Sequence, residues 1–160
     1  MNIESKYLYY IGGVVVGGAI ILAIAKFAKR GYKSYNLSLF DSPDKKGSGV
    51  NMKPSFLKLL RRAEEISGLT FKYNSAFRTR AYNIKAGGVS DSAHLYGLAA
   101  DIKAPTRTIR DKIVWAAKKA GFKRIGIGSN FVHLDFDNSK PQYVAWGYPI
   151  GNSPPFNPFA

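Results

Sequence analysis

The chain has 160 residues, of which 46% are apolar and 14% aromatic, and it carries a formal net charge of +14. That composition excludes a disordered polymer, and the length allows one globular domain with some chain left over. There is no cysteine, so a disulfide framework and thiolate metal ligands are excluded, and a transition-metal site would have to use His with Asp or Glu. The positive charge favours a polyanionic neighbourhood. The basic residues are scattered, however, without the aromatic-basic ladder that tracks a single nucleic-acid strand, so nucleic acid is not an expected partner.

From Tyr7 to Ala25 the sequence YLYYIGGVVVGGAIILAIA holds no charge. It approaches the ~20 apolar residues needed to cross a bilayer core as a helix. Tyr7, Tyr9 and Tyr10 suit one interface, and Lys26, Lys29, Arg30 and Lys33 suit the other. Residues 1–30 are therefore expected to be an N-terminal membrane anchor in contact with the lipid bilayer. The rival is signal cleavage after Ala23-Ile24-Ala25, against which the apolar run goes straight to the site without a polar stretch. Gly13 and Gly17 have the spacing that lets two membrane helices approach, which would make a homo-oligomer. The excess of Lys and Arg after the run would place the following domain in the cytoplasm, but a short, nearly neutral amino terminus makes that rule less decisive, and both orientations stay open.

Residues 31–50 contain SPDKKGSG and read as a linker. A folded domain is expected over 51–150, followed by a tail over 151–160. Pro54-Ser55 opens FLKLLRRAEEIS, in which Phe56, Leu59, Leu60, Ala63 and Ile66 recur at helical spacing until Gly68 stops the run. LTFKY reads as a strand. A second helix is expected from about Thr108 to Ala120, with Gly121 as its stop. FKRIGIG and FVHLDF read as strands around a Gly-Ser-Asn turn, and YVAW adds another. Helices set apart from a run of short strands predict an α+β domain with a mainly antiparallel sheet, preceded by one transmembrane helix.

The chain has only two histidines. His94 lies in SAHLYGLAAD and His133 in FVHLD. Gly97 allows a sharp turn after His94, and Asp101 follows on what reads as a buried strand. A carboxylate there is costly unless it is paired or bound to metal. Strand alternation puts Phe131, His133 and Asp135 on one face. Two imidazoles and one carboxylate would leave zinc an open position and a residual positive charge.

SAFRTRAYN at 75–83, Gly87-Gly88, SAHLYGLAADI and FVHLD together resemble the zinc D-Ala-D-Ala carboxypeptidases and related endolysin peptidases, in their small phage and bacterial branch. The resemblance covers roughly Asn51 to Tyr148. It implies the hedgehog/DD-peptidase fold and zinc-dependent hydrolysis of peptide bonds in the stem peptides of peptidoglycan, as a carboxypeptidase or an endopeptidase. It implies His94, Asp101 and His133 as zinc ligands, and Arg78 as the group that binds a substrate carboxylate or the developing oxyanion. Ser92 would hold the ligand loop or touch substrate, and Tyr82, Asn83, Gly87 and Gly88 would shape the turn before it. Many relatives carry an acid three residues before the second zinc histidine, as general base. Here that residue is Asn130, so Asp135 is the substitute for base, with orientation of His133 as its alternative role. Trp146 is a candidate for the substrate groove. A non-catalytic, zinc-stabilised peptidoglycan-binding module is the alternative function. With the anchor, the expectation is a single-pass protein of the bacterial envelope or of a virus particle, serving entry, lysis or wall remodelling.

Overall fold

The computed structural model describes residues 35–160, and the expected anchor, with Gly13 and Gly17, lies outside them. Among the described residues no helix is long and apolar enough to cross a membrane. Helix α1 covers Pro54–Ser67, opened by proline at its first position and closed by Gly68 at φ 63°. Strand β1 (Tyr73–Ser75) leads into the short helix α2 (Arg80–Lys85), whose first turn is capped by the Thr79 side chain accepting from the Tyr82 amide. Strand β2 is Ala99–Lys103, and helix α3 is Arg107–Ala120, capped by Thr106 and ended by Gly121 at φ 112°. Strands β3 (Arg124–Ile127), β4 (Phe131–Asp135) and β5 (Val144–Gly147) complete the order.

The five strands form one sheet in the order β1-β2-β4-β3-β5. The pairs β1–β2, β2–β4 and β3–β4 are antiparallel, but β5 runs parallel to β3. The sheet is thus mixed, where a mainly antiparallel one was expected. The cause lies in the connection. Asp135 at the end of β4 sits opposite Arg124 at the start of β3, and Val144 pairs with the same Arg124. The chain therefore crosses the end of β3 and begins β5 on its far edge, pointing the same way.

Alternation then sorts the side chains. Ala100, Ile102, Ile125, Ile127, Val132 and Leu134 are buried on one face, with Phe56, Leu60 and Ala63 of α1, Ile113, Val114 and Ala117 of α3, and Phe122 completing that core. Each large apolar side chain removed from water there contributes about 1.5–3 kcal/mol. The helices thereby fix the pleat, and with it the residues on the opposite face. One row across that face reads Ser75, Asp101, His133, Gly126, Trp146 in direct register.

Residues 36–50, within the stretch expected to be a linker, are folded. Phe40 is fully buried, and the Asp41 carboxylate accepts from the amides of Gly47 (2.8 Å) and Gly49 (2.7 Å). Gly47 takes φ 80°, and a Cβ on Gly49 would lie 2.0 Å from the Leu37 carbonyl oxygen. The segment braces the turn that carries Arg78: the Phe77 amide donates to the Phe40 carbonyl (3.1 Å) and the Thr79 amide to the Ser42 hydroxyl (3.1 Å).

Candidate metal centre

His94 stands in a 3-10 turn, Ala93–Tyr96, ended by Gly97 at φ 68°. A side chain on Gly97 is barred twice over, because its Cβ would also lie 2.2 Å from the Asn51 carbonyl oxygen. His94 Nδ1 is 2.6 Å from the Ala76 carbonyl oxygen, which can only accept, so Nδ1 carries the proton and Nε2 the lone pair. That Nε2 faces His133 Nδ1 at 3.3 Å and Asp101 Oδ2 at 3.4 Å. His133 Nδ1 is 2.8 Å from Asp101 Oδ1, while its Nε2, on the other side of the ring, faces Asp135 Oδ2 at 3.4 Å.

Two imidazole nitrogens and a carboxylate thus turn toward one another in a buried place. In the metal-free protein they cannot all present lone pairs, and a proton must intervene. Burial alone would push His133 down, but its contacts with the Asp101 and Asp135 carboxylates outweigh that and hold its pKa up at about 9. Burial would raise Asp101, yet His133 and His94 keep it well below the usual carboxylate range. Burial keeps His94 below its ordinary value. A divalent cation can take the proton's place. Ligand bonds of about 2.0–2.1 Å in a tetrahedron separate donor atoms by roughly 3.3 Å, which matches the two longer distances in the cluster, so the donor set fits zinc.

The surroundings hold these groups in place. Arg78 Nη2 donates to Asp101 Oδ2 at 2.6 Å, and Arg78 Nε donates to the Ser75 hydroxyl at 2.7 Å. Asp135 Oδ1 accepts from Arg124 Nε (2.7 Å) and from the Asp137 amide (3.1 Å). Burial would raise Asp135, but His133 and then Arg124 hold it low. The Trp146 ring lies 5.5 Å from the His133 ring, with the Arg124 guanidinium 5.3 Å from its centre on β5's side of the site. Gly126 makes room for it: a Cβ there would lie 2.8 Å from Trp146 Nε1 and 2.7 Å from the Tyr148 ring.

The family model described as Peptidase M15 matches residues 33–135, which contain every residue of the cluster. The chain belongs to the peptidase M15 family. No curated protein matches it. M15 peptidases are zinc-dependent, so the cofactor is zinc, and His94, Asp101 and His133 form the site that the described residues offer it.

The structure thus brings the three expected ligands of this M15 peptidase together and places Arg78 against one of them. Asp135 stands behind the His133 ring, at the nitrogen turned away from the cluster. Asn130 is exposed in the β3–β4 turn. Ser92 is buried just before the His94 turn, and its side chain makes no cap there. Asn83 Nδ2 donates to the Val89 carbonyl (2.9 Å), and a Cβ on Gly88 would strike the Asn83 side chain, so this pair shapes the loop before Ser92. Two functional contacts were not legible. Arg124 becomes relevant only through its register with Asp135. The Ala76 carbonyl, which sets the His94 tautomer, has no residue-type signature.

The metal-free proton gives a pH dependence. His133 is protonated below about 9 in the metal-free protein, and a ligand nitrogen must be bare. Zinc affinity is therefore expected to fall as pH drops below that value, by about tenfold per unit, with roughly one proton released per zinc bound. Calorimetric titration in buffers of different ionisation heat measures that proton directly; no release at pH 7 would contradict it.

Proposed function

We propose that this M15 peptidase hydrolyses peptide bonds in the stem peptides of peptidoglycan, as a carboxypeptidase or an endopeptidase. The observation that carries the reading is the convergence of the His94, Asp101 and His133 donors on the sheet face opposite α1 and α3. Zinc bound there supplies a Lewis acid that polarises the scissile carbonyl and acidifies water. The chain's own residues do the rest. Arg78 uses Nε and one Nη in fixing Ser75 and Asp101, and its other N–H groups are the donors for a substrate carboxylate or for charge developing on the carbonyl oxygen. Trp146, packed beside His133, walls the groove for the peptide, and Ser92 steadies the loop that carries His94. Asp135 holds the His133 ring in its tautomer. The central sheet with helices on one face supports the hedgehog/DD-peptidase fold.

A second reading has a specific motive. Asn130 cannot take a proton, and Asp135 faces the His133 nitrogen that is turned away from the cluster. A zinc-stabilised module that binds peptidoglycan without turnover fits those two facts. The experiment that separates them is incubation of zinc-loaded protein with purified sacculi, followed by mass spectrometry. Release of free D-alanine marks a carboxypeptidase, and loss of cross-linked dimers marks an endopeptidase. Co-sedimentation with sacculi without any release marks the binding module; neither release nor binding defeats both readings.

The apolar run at 7–25 supports a membrane-anchored protein of the bacterial envelope or of a virus particle.

A further inference from the structure

The face of α3 turned away from the sheet carries an exposed indole, Trp115, with 54% of its surface open to solvent. Lys118 and Lys119 lie three and four residues on, on the same side of the helix. Side-chain contacts extend this patch beyond the helix. Lys118 Nζ donates to the Pro158 carbonyl, which fastens the C-terminal segment there. Phe159 then meets Tyr143 edge-on with ring centres 6.1 Å apart, and Lys123 Nζ lies 5.0 Å from the centre of the Tyr143 ring.

Tyr143 is 63% exposed and sits at φ 60°, the one non-glycine residue in the left-handed region among the described residues. A bulky side chain in that conformation is strained, and the ring's contacts there are Phe159 and the Lys123 ammonium rather than the buried core. The nearest carboxylate on the helix, Asp111, is paired with Arg107 at 3.5 Å. The result is a surface of three aromatic rings and three lysines, and none of the three lysines forms an ion pair among the described residues.

We infer that this surface docks on an anionic lipid bilayer. Trp and Tyr place an apolar ring at headgroup depth and keep the polar edge wet, and lysine stems lie along apolar surface while their ammonium groups reach phosphate. Scattered single lysines would serve solubility; lysines set around exposed rings give both terms of interfacial binding at one place. The occupant follows from this charge complementarity and from the apolar run at 7–25, which would hold the domain close to a bilayer and raise its effective concentration there. The inference goes beyond the peptidase reading and rests on the anchor reading for the tether alone. It also has a functional consequence. The patch starts on α3, and the metal cluster lies on the opposite face of the sheet, so a domain docked through α3 turns its metal cluster away from the lipid.

The test uses the full chain in nanodiscs of phosphatidylcholine, with and without phosphatidylglycerol. The signal of Trp115 is the difference in emission between wild type and Trp115→Phe, read with brominated acyl chains as quencher. Quenching and a blue shift of Trp115 that need phosphatidylglycerol, and that high salt removes, are expected. Lys118→Glu with Lys119→Glu should weaken the docked state by at least about tenfold. Equal Trp115 emission in both lipid mixtures overturns the inference. So does Trp115 burial that depends on protein density in the disc, which marks a second copy, or protection by an oligonucleotide instead of by the lipid. If the chain fails to enter neutral nanodiscs, the anchor reading falls, and Trp115 quenching by added phosphatidylglycerol vesicles still decides the patch.

Discussion

Asp101→Asn is expected to abolish zinc binding and hydrolysis together. Asp101 is the one anion in the cluster: Oδ1 faces His133, and Oδ2 faces both Arg78 and His94. An amide offers a single oxygen, so its NH2 must point either at the Arg78 guanidinium, where it repels, or at the imidazole lone pairs, where it blocks the metal. Neither orientation restores the charge. Replacing a group that merely orients a metal ligand costs about 10–100-fold in affinity, so losing the ligand itself should cost more than about 100-fold. The metal-free protein should lose stability as well, by about 3 kcal/mol, because Arg78 is left as a buried cation without its partner. Metal analysis after dialysis against a weak chelator, digestion of sacculi and thermal unfolding of the stripped protein read the three effects separately. Wild-type zinc affinity in Asp101→Asn would remove Asp101 from the site.

Legibility differed between parts of the chain for reasons that particular residues show. Helices α1 and α3 were readable because their apolar positions repeat at helical spacing and Gly68 and Gly121 stop them in the left-handed conformation. Strands β3 and β4 announced themselves by alternation, and that alternation correctly grouped Phe131, His133 and Asp135. The strand expected at LTFKY, residues 69–73, starts only at its last residue and covers Tyr73–Ser75, because Phe71 goes into the core and its amide pairs with the Glu64 side chain instead of a strand. Helix α2 has six residues, too few for periodicity to show. The segment read as a linker has linker composition, and its order comes from Asp41 reaching backbone amides and from glycines that admit close approach. Composition does not encode such contacts. The parallel edge strand was hidden for a different reason. Its direction depends on which side of β3 the chain lands after β4, a choice that residues 136–143 make in three dimensions.

The metal triad was legible because chemistry restricts it. With no cysteine and two histidines in the chain, little else could build the site. The proton-transfer group was less so, because roles of carboxylates depend on which side of a ring they occupy. Asp135→Asn is the variant that makes this visible. If Asp135 were the base, the variant would keep its zinc and lose about 10²–10⁴-fold in kcat, the usual worth of a positioned proton acceptor. The geometry predicts another pattern. Asp135 is 3% exposed, faces the outer nitrogen of His133 at 3.4 Å and binds Arg124 at 2.7 Å. Its amide can still accept from the ring, but weakly, and it no longer balances the guanidinium. Zinc affinity should therefore drop by about 10–100-fold, and the folded state by about 3 kcal/mol for the broken buried pair. At saturating zinc most of kcat should return. Adding Arg124→Gln should recover part of the stability, because the uncompensated cation is then gone, while leaving the zinc defect in place. A kcat that stays low at saturating zinc, with the metal fully bound, would instead give Asp135 the proton and require the His133 ring to move during the reaction.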